Sequence, residues 1–121
     1  MVLVDTSVWV SHLQSGNDRL RELLEEGKVI SHPYIIGELA CGNFKNRREI
    51  LSLLQTLPAS LTAAQDEVLL FIEDQRLMGL GLGYVDVHLL ASARLSGVPF
   101  WTFDKKLKAA AVRLRVDFQS D

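Results

Sequence analysis

Apolar residues along this chain fall into short runs that alternate with stripes at helical spacing. Met1 to Val4 is an uninterrupted apolar run, long enough for a buried strand and too short for a helix. Asp5-Thr6-Ser7 follows it, and all three are residue types that cap helices. Val8, Trp9 and Leu13 continue at helical spacing until Gly16 and Asn17 break the pattern. Asn17 caps a second helix carrying Leu20, Leu23 and Leu24, which Gly27 ends. Val29 and Ile30 form a second short strand. Ser31 caps or nearly caps a helix that opens at Pro33, a favoured first-turn position, and closes at Gly42-Asn43. Asn46 opens the next helix, with Ile50, Leu53, Leu54 and Leu57 inward and Pro58 as its stop. Thr62 and Gln65 have the spacing of a capping box ahead of Val68, Leu69 and Ile72.

Gly79-Leu80-Gly81-Leu82-Gly83 is glycine-rich but lacks the lysine and the serine or threonine of a phosphate-binding P-loop, so it reads as a connector. A helix from Tyr84 to Ser96, ended by Gly97, leads into a strand over Val98 to Phe103, with Pro99 tolerated near its start. Asp104 opens a last helix through Leu107 and Val112, and Val116 to Phe118 reads as an edge strand. Strands alternating with helices imply an α/β fold: a mostly parallel sheet of about four to five short strands, covered on both faces. Ligands of such sheets bind at the carboxyl ends of the strands, and both Asp5 and Asp104 follow the last apolar residue of a strand.

The chain has 121 residues, of which 48% are hydrophobic, which fits one domain over residues 1–121 with one well-filled core. No apolar run approaches the roughly 20 residues of a membrane span. The N-terminus enters VLVDTS with no basic region and no cleavage site, and Cys41 is the single cysteine, which excludes an intrachain disulfide and a cysteine-based zinc site. A cytoplasmic protein is expected.

Four acids stand in otherwise apolar runs: Asp5 in VLVDTS, Glu38 in YIIGELACG, Asp86 in YVDVHLLASA and Asp104 in FWTFD. Desolvating an unpaired carboxylate is costly, so acids are normally kept out of such runs. Asp5 and Asp104 each have a plain alternative reading as helix caps. Glu38 has Tyr34, Ile35, Cys41 and Gly42 as its helical neighbours, a largely apolar face. Asp86 shares a helix face with Leu89, Leu90 and Ala93, and its alternative is a buried ion pair with Arg76 or Arg94. Two carboxylates about 5 Å apart repel by roughly 3 kcal/mol at an effective dielectric near 20, so a convergent set requires protons or a divalent cation. Oxygen-only ligands favour Mg²⁺ or Mn²⁺ over zinc. His12, His32 and His88 have no paired ligand spacing and read as structural or exposed. Thr6 and Ser7 beside Asp5, and Thr102 two residues before Asp104, are placed to orient carboxylates or hold a water, or else to serve only local structure.

The net charge is −2, from 15 acids and 13 Lys plus Arg. Setting the four acids aside leaves eleven acids against those thirteen bases, a mildly positive remainder. Lys45, Arg47 and Arg48 form one basic cluster, and Lys105, Lys106, Lys108, Arg113 and Arg115 another. Either is an ordinary solvated face on its own, and together they permit a nucleic-acid substrate without demanding one.

VLVDTSVWV, a helical GEL, YVDVHLLASA and TFDKKL, in that order from Val2 to about Phe118, resemble the PIN-domain ribonucleases, and among them the VapC toxins of VapBC toxin–antitoxin pairs. The resemblance implies an α/β/α sandwich and a Mg²⁺- or Mn²⁺-dependent endoribonuclease. It also implies a homodimer and a cognate VapB-like antitoxin. The family's acidic positions fall on Asp5, Glu38, Asp86 and Asp104, its hydroxyl beside the first acid on Thr6 or Ser7, and that of its T-x-D motif on Thr102. Asp5, Asp86 and Asp104 are the expected metal ligands, and Glu38 is a further ligand or a base acting through water. Lys45, Arg47, Arg48, Lys105 and Lys106 are the expected contacts to the RNA backbone. The expected products carry a 5′-phosphate and a 3′-hydroxyl.

Two enzyme alternatives fail on the motifs. A receiver-type phosphoacceptor domain needs an acidic pair after the first strand, and a haloacid-dehalogenase-like phosphatase needs an acid two residues after the first Asp, where Ser7 stands. A catalytically silent domain of the same fold, binding RNA or antitoxin without turnover, is the remaining alternative. Four retained acids argue against it.

Overall fold

The computed structural model describes residues 1–119. Its sheet has three parallel strands in the order β2-β1-β3, formed by β1 (Val2–Val4), β2 (Val29–Ile30) and β3 (Phe100–Trp101). The register pairs Val2 with Val29 and Leu3 with Ile30 on one side, and Leu3 with Phe100 and Val4 with Trp101 on the other. All seven strand residues are buried, as expected for apolar runs inside a sheet flanked by helices. The helices are α1 (Thr6–Ser15), α2 (Asp18–Glu25), α3 (Pro33–Ala40), α4 (Arg47–Thr56), α5 (Gln65–Gln75), α6 (Tyr84–Ser96) and α7 (Lys105–Arg113).

The sheet is narrower than the apolar runs suggest. The strand expected over Val98 to Phe103 pairs only at Phe100 and Trp101, and the edge strand expected at Val116 to Phe118 is a single bridge between Phe100 and Asp117. A second bridge joins Ser31 to Ala59. These bridges occupy the places of a fourth and fifth strand, each too short to extend as a ladder.

Three local expectations are corrected. Helix α3 is capped by His32, whose Nδ1 accepts the Tyr34 N–H at 3.0 Å, and not by Ser31, which the sheet takes up. Ahead of α5 the backbone N–H of Ala64 donates to Glu67 Oε1 at 2.9 Å, so Ala64 and Glu67, rather than Thr62 and Gln65, close the helix start. Leu53 points outward, because Leu54 takes the buried position of α4. Other boundaries stand as read: Asn17 Oδ1 accepts the Leu20 N–H at 2.9 Å, and Gly97 ends α6 at φ +65°, in the left-handed region that favours glycine.

Helix α6 is the spine of the core. Seven consecutive residues, Val87 to Ala93, are buried, so the helix is enclosed on all sides. It packs on α5 and β3, while α3 packs on α1 and α4. The amino ends of α1, α3 and α7 all follow strands, which brings Asp5, α3 and Asp104 to the carboxyl edge of the sheet.

Candidate active site

Strand β1 ends at Asp5, which sits at the N-cap position of α1 in extended conformation (φ −67°, ψ 156°). Its side chain does not cap the helix. Oδ2 instead accepts two hydroxyl protons, from Ser7 Oγ at 2.7 Å and from Thr102 Oγ1 at 2.7 Å. A hydroxyl has one proton, so each serves the rest of its capacity as an acceptor. Ser7 Oγ takes the Phe103 N–H at 3.0 Å, and Thr102 Oγ1 takes the Asp104 N–H at 3.1 Å. With both protons directed at Asp5, the 3.3 Å approach of the two hydroxyl oxygens has no proton left to share. This network joins the end of β1 to the end of β3. It buries Asp5 at 6% exposure with two charge-assisted bonds.

The other three acids are held in the same way, one oxygen each. Asp86, in the first turn of α6, accepts the Gly83 N–H on Oδ2 at 3.0 Å. Asp104 caps α7, Oδ1 accepting the Leu107 N–H at 2.9 Å. Glu38 accepts Thr6 Oγ1 on Oε1 at 2.6 Å. Thus Thr6, Ser7 and Thr102 all donate to carboxylates. The second oxygen of every acid accepts no hydrogen bond among the described residues.

Nor does a cation balance these charges. The ion pairs among the described residues are Arg19–Glu22, Arg21–Asp18 and Lys28–Glu26, so neither Arg76 nor Arg94 pairs with Asp86. Burial pushes the Asp86 carboxyl above its ordinary value. The Gly83 N–H opposes that rise, and the charges of Asp5 and Asp104 add to it. The three aspartates therefore share one electrostatic space. Glu38 stands beside it through Thr6, and it is exposed where an apolar setting was expected. The reason is that the buried line of α3 runs through Ile35 and Leu39, leaving Tyr34, Cys41 and Gly42 on the outer side with Glu38. Among the described residues no three histidine, cysteine or carboxylate groups are drawn together at metal-ligand spacing. The donor set is nevertheless that of a hard divalent cation: carboxylate oxygens, each with one free, and no histidine among them.

The basic residues divide. Arg47 is committed to structure, donating to Ala40 O at 2.5 Å and Gly42 O at 3.1 Å at the end of α3. The Lys106 side chain lies over Gly81, whose φ of +78° admits no side chain without strain. Lys45, Arg48 and Lys105 are exposed and form no ion pair among the described residues.

His12 and His32 are engaged in local structure. His12 Nδ1 accepts the Asn17 N–H at 2.9 Å. His32 is fully buried, and because Nδ1 accepts from Tyr34, its Nε2 carries the proton toward Ser92 Oγ, 3.0 Å away. Burial, and secondarily His88, lower its pKa to about 4. His88 is buried with Tyr34 and Tyr84 edge-on against it at 4.9 and 4.6 Å. Four contributors have no side-chain signal in the sequence, since they are backbone groups: the N–H groups of Gly83, Phe103, Asp104 and Leu107.

A family model for the PIN domain matches residues 2–113. Two proteins of Mycobacterium tuberculosis strains, each named Ribonuclease VapC32, are 48% identical to this chain over 111 residues, covering 91% of it and 90% of their own length. Among solved structures, PAE2754 from Pyrobaculum aerophilum superposes with a TM-score of 0.60 at 18% identity, covering 95% of this chain and 88% of that one. FitAcB from Neisseria gonorrhoeae superposes with a TM-score of 0.62, also at 18% identity, covering 93% and 94%. At that identity the two structures speak for a shared fold.

Proposed function

This chain belongs to the PIN domain family, and from that premise we propose that it is a divalent-metal-dependent endoribonuclease, the VapC-type toxin of a toxin–antitoxin pair. Near-full-length identity of 48% to Ribonuclease VapC32 supports the activity. The observation that carries the chemistry is the set of four carboxylates, each, among the described residues, with one oxygen tethered and one free, and none with a cationic side chain as partner.

Asp5, Asp86 and Asp104 are the residues that would hold Mg²⁺ or Mn²⁺. Such an ion, when bound, supplies charge neutralisation at the phosphate and a lowered pKa for the attacking water. Ser7 and Thr102 fix the rotation of Asp5, and Gly83 fixes that of Asp86. Glu38, steadied by Thr6, would take the proton of the attacking water or serve as a further ligand. In-line attack on phosphorus would break the bond to the 3′ oxygen, which takes a proton from solvent, leaving a 5′-phosphate and a 3′-hydroxyl. Lys45, Arg48, Lys105 and Lys106 would meet the RNA backbone, and Arg47 contributes mainly by holding the end of α3. A VapB-like antitoxin, a homodimeric assembly and a cytoplasmic location complete the proposal. No helix of the described residues is long and apolar enough to cross a membrane.

The test is incubation of purified protein with total RNA in Mg²⁺, Mn²⁺ or EDTA, alongside Asp86→Asn, with mapping of fragment 5′ ends. Discrete cuts that need both metal and Asp86 are expected. RNA bound equally well in EDTA and never cut would favour the silent binding domain.

A further inference from the structure

Side chains alternate at the end of β3. The Thr102 side chain turns toward Asp5, and its Oγ1 also accepts the Asp104 N–H. Trp101 and Phe103 turn away, and Trp101 is buried, with Phe103 edge-on to it at 5.9 Å and Phe118 tilted against it at 5.1 Å. Phe103 is different: it is 49% exposed. Its backbone is nonetheless fixed, the N–H bonded to Ser7 Oγ at 3.0 Å. One edge of the ring thus packs on Trp101, while about half of its surface stands in water on a fixed backbone.

These aromatics open onto a cleft of about 400 Å³. That volume is in the range in which small aromatic ligands are held. Among the described residues the polar lining is Thr102, Lys108, Asp117 and Gln119. One base and one acid leave the cleft without net charge, while amide, ammonium and carboxylate groups offer both donors and acceptors. A neutral planar group with hydrogen-bonding edges suits that lining better than a phosphate or an apolar side chain. The cleft also shares a residue with the acidic site, because Thr102 both lines it and donates to Asp5.

We propose that this cleft holds a nucleobase of the RNA next to the scissile bond, stacked on Phe103, with Lys108 and Gln119 reading its edge. The inference rests on the ribonuclease reading and adds a specificity residue to it. Base–aromatic stacking tolerates any base, so selectivity among bases falls to the polar edge.

The experiment measures binding of a fluorescein-labelled single-stranded RNA carrying the mapped cleavage site to uncut-competent protein (the Asp86→Asn background). The same strand is also made abasic at each nucleotide flanking the scissile bond in turn. One abasic position should weaken binding about five- to hundred-fold, as loss of a stack does. Phe103→Ala should weaken the intact strand by a similar factor and be indifferent to that abasic position. Phe103→Tyr should restore both affinity and abasic sensitivity, while Phe103→Leu, which keeps an apolar side chain of similar bulk, should not. In the Lys108→Ala variant the preference among bases at that position should relax. Phe103→Ala and Phe103→Leu that bind every strand as the parent does would overturn the proposal. So would variants that lose self-association by sedimentation while RNA binding is intact, since the cleft would then be a protein contact. Wild-type protein that neither binds nor cuts RNA would instead overturn the ribonuclease reading.

Discussion

Asp5 is aimed by two hydroxyl protons, and that can be tested one proton at a time. Thr102→Val keeps the shape that suits a strand but leaves the buried carboxylate short of one donor and the Asp104 N–H without its acceptor. A loss of about 1–3 kcal/mol in thermal or urea unfolding is expected, with cleavage about 10- to 100-fold slower. Thr102→Ser should recover most of both. Asp86 works in the opposite direction. Burial and its acidic neighbours raise its folded pKa. Its contribution to stability is therefore complete below the unfolded value and is lost as pH rises through the folded one. At neutral pH without divalent metal, the ionised side chain is a net cost. Asp86→Asn should abolish cleavage yet raise the melting temperature in EDTA by on the order of 1–4 °C, a trade typical of functional acids. Unchanged or lower melting would show that Asp86 is relieved by a partner after all. Asp86 was legible in the sequence because Leu89, Leu90 and Ala93 do pack inward at its face. The sequence around Glu38 implies an apolar setting, whereas the side chain is exposed. It reaches the site through Thr6, a contact between positions 32 residues apart that no local pattern encodes.

At the scale of elements, His32 is the joint between the helix that carries Glu38 and the helix that carries Asp86. It caps α3 through Nδ1 and reaches Ser92 of α6 through Nε2, an arrangement that only the neutral Nε2–H tautomer satisfies. Its folded pKa of about 4 lies below the ordinary 6.5. Stability from this group is thus fully present above pH 6.5 and lost as pH falls toward 4. A loss on the order of 2 kcal/mol over that window is expected in a pH series of urea melts. His32→Asn, which can cap but cannot titrate, should flatten the series in that window, and an unchanged slope would place the titration elsewhere. The joint was invisible in the sequence, where Ser31 was the better capping residue type. The parallel pairing of Ser31 with Ala59 removes it from that task. Helix ends marked by glycine or asparagine, at Asn17 and Gly97, were read correctly because those signals are local. Strand lengths were overestimated because an apolar run records burial, whereas a ladder also needs a neighbouring strand in register.

For the whole molecule the acid set governs how stability responds to ions. The formal charge of −2 hides a division between eleven other acids against thirteen bases and the four candidate acids of the site. The carboxyl edge was foreseeable, since alternating strands and helices put Asp5 and Asp104 there. What the sequence could not supply is the balance within the site, where among the described residues no lysine or arginine pairs with the acids. If the charge is left for a divalent cation, Mg²⁺ or Mn²⁺ should stabilise the folded chain by mass action, by about 2.7 kcal/mol at a hundred times its dissociation constant. Sodium chloride at equal ionic strength should act only weakly, because screening does not coordinate. In the Asp5→Asn, Asp86→Asn double variant the melting temperature should stay flat as Mg²⁺ is added, whatever its starting value. The contrast between the two titrations separates a coordinated ion from a diffuse one without any measurement of cleavage. A double variant that still gained stability from Mg²⁺ would place the ion somewhere other than the four acids. The chemistry proposed for them would then have to be rebuilt around that other position.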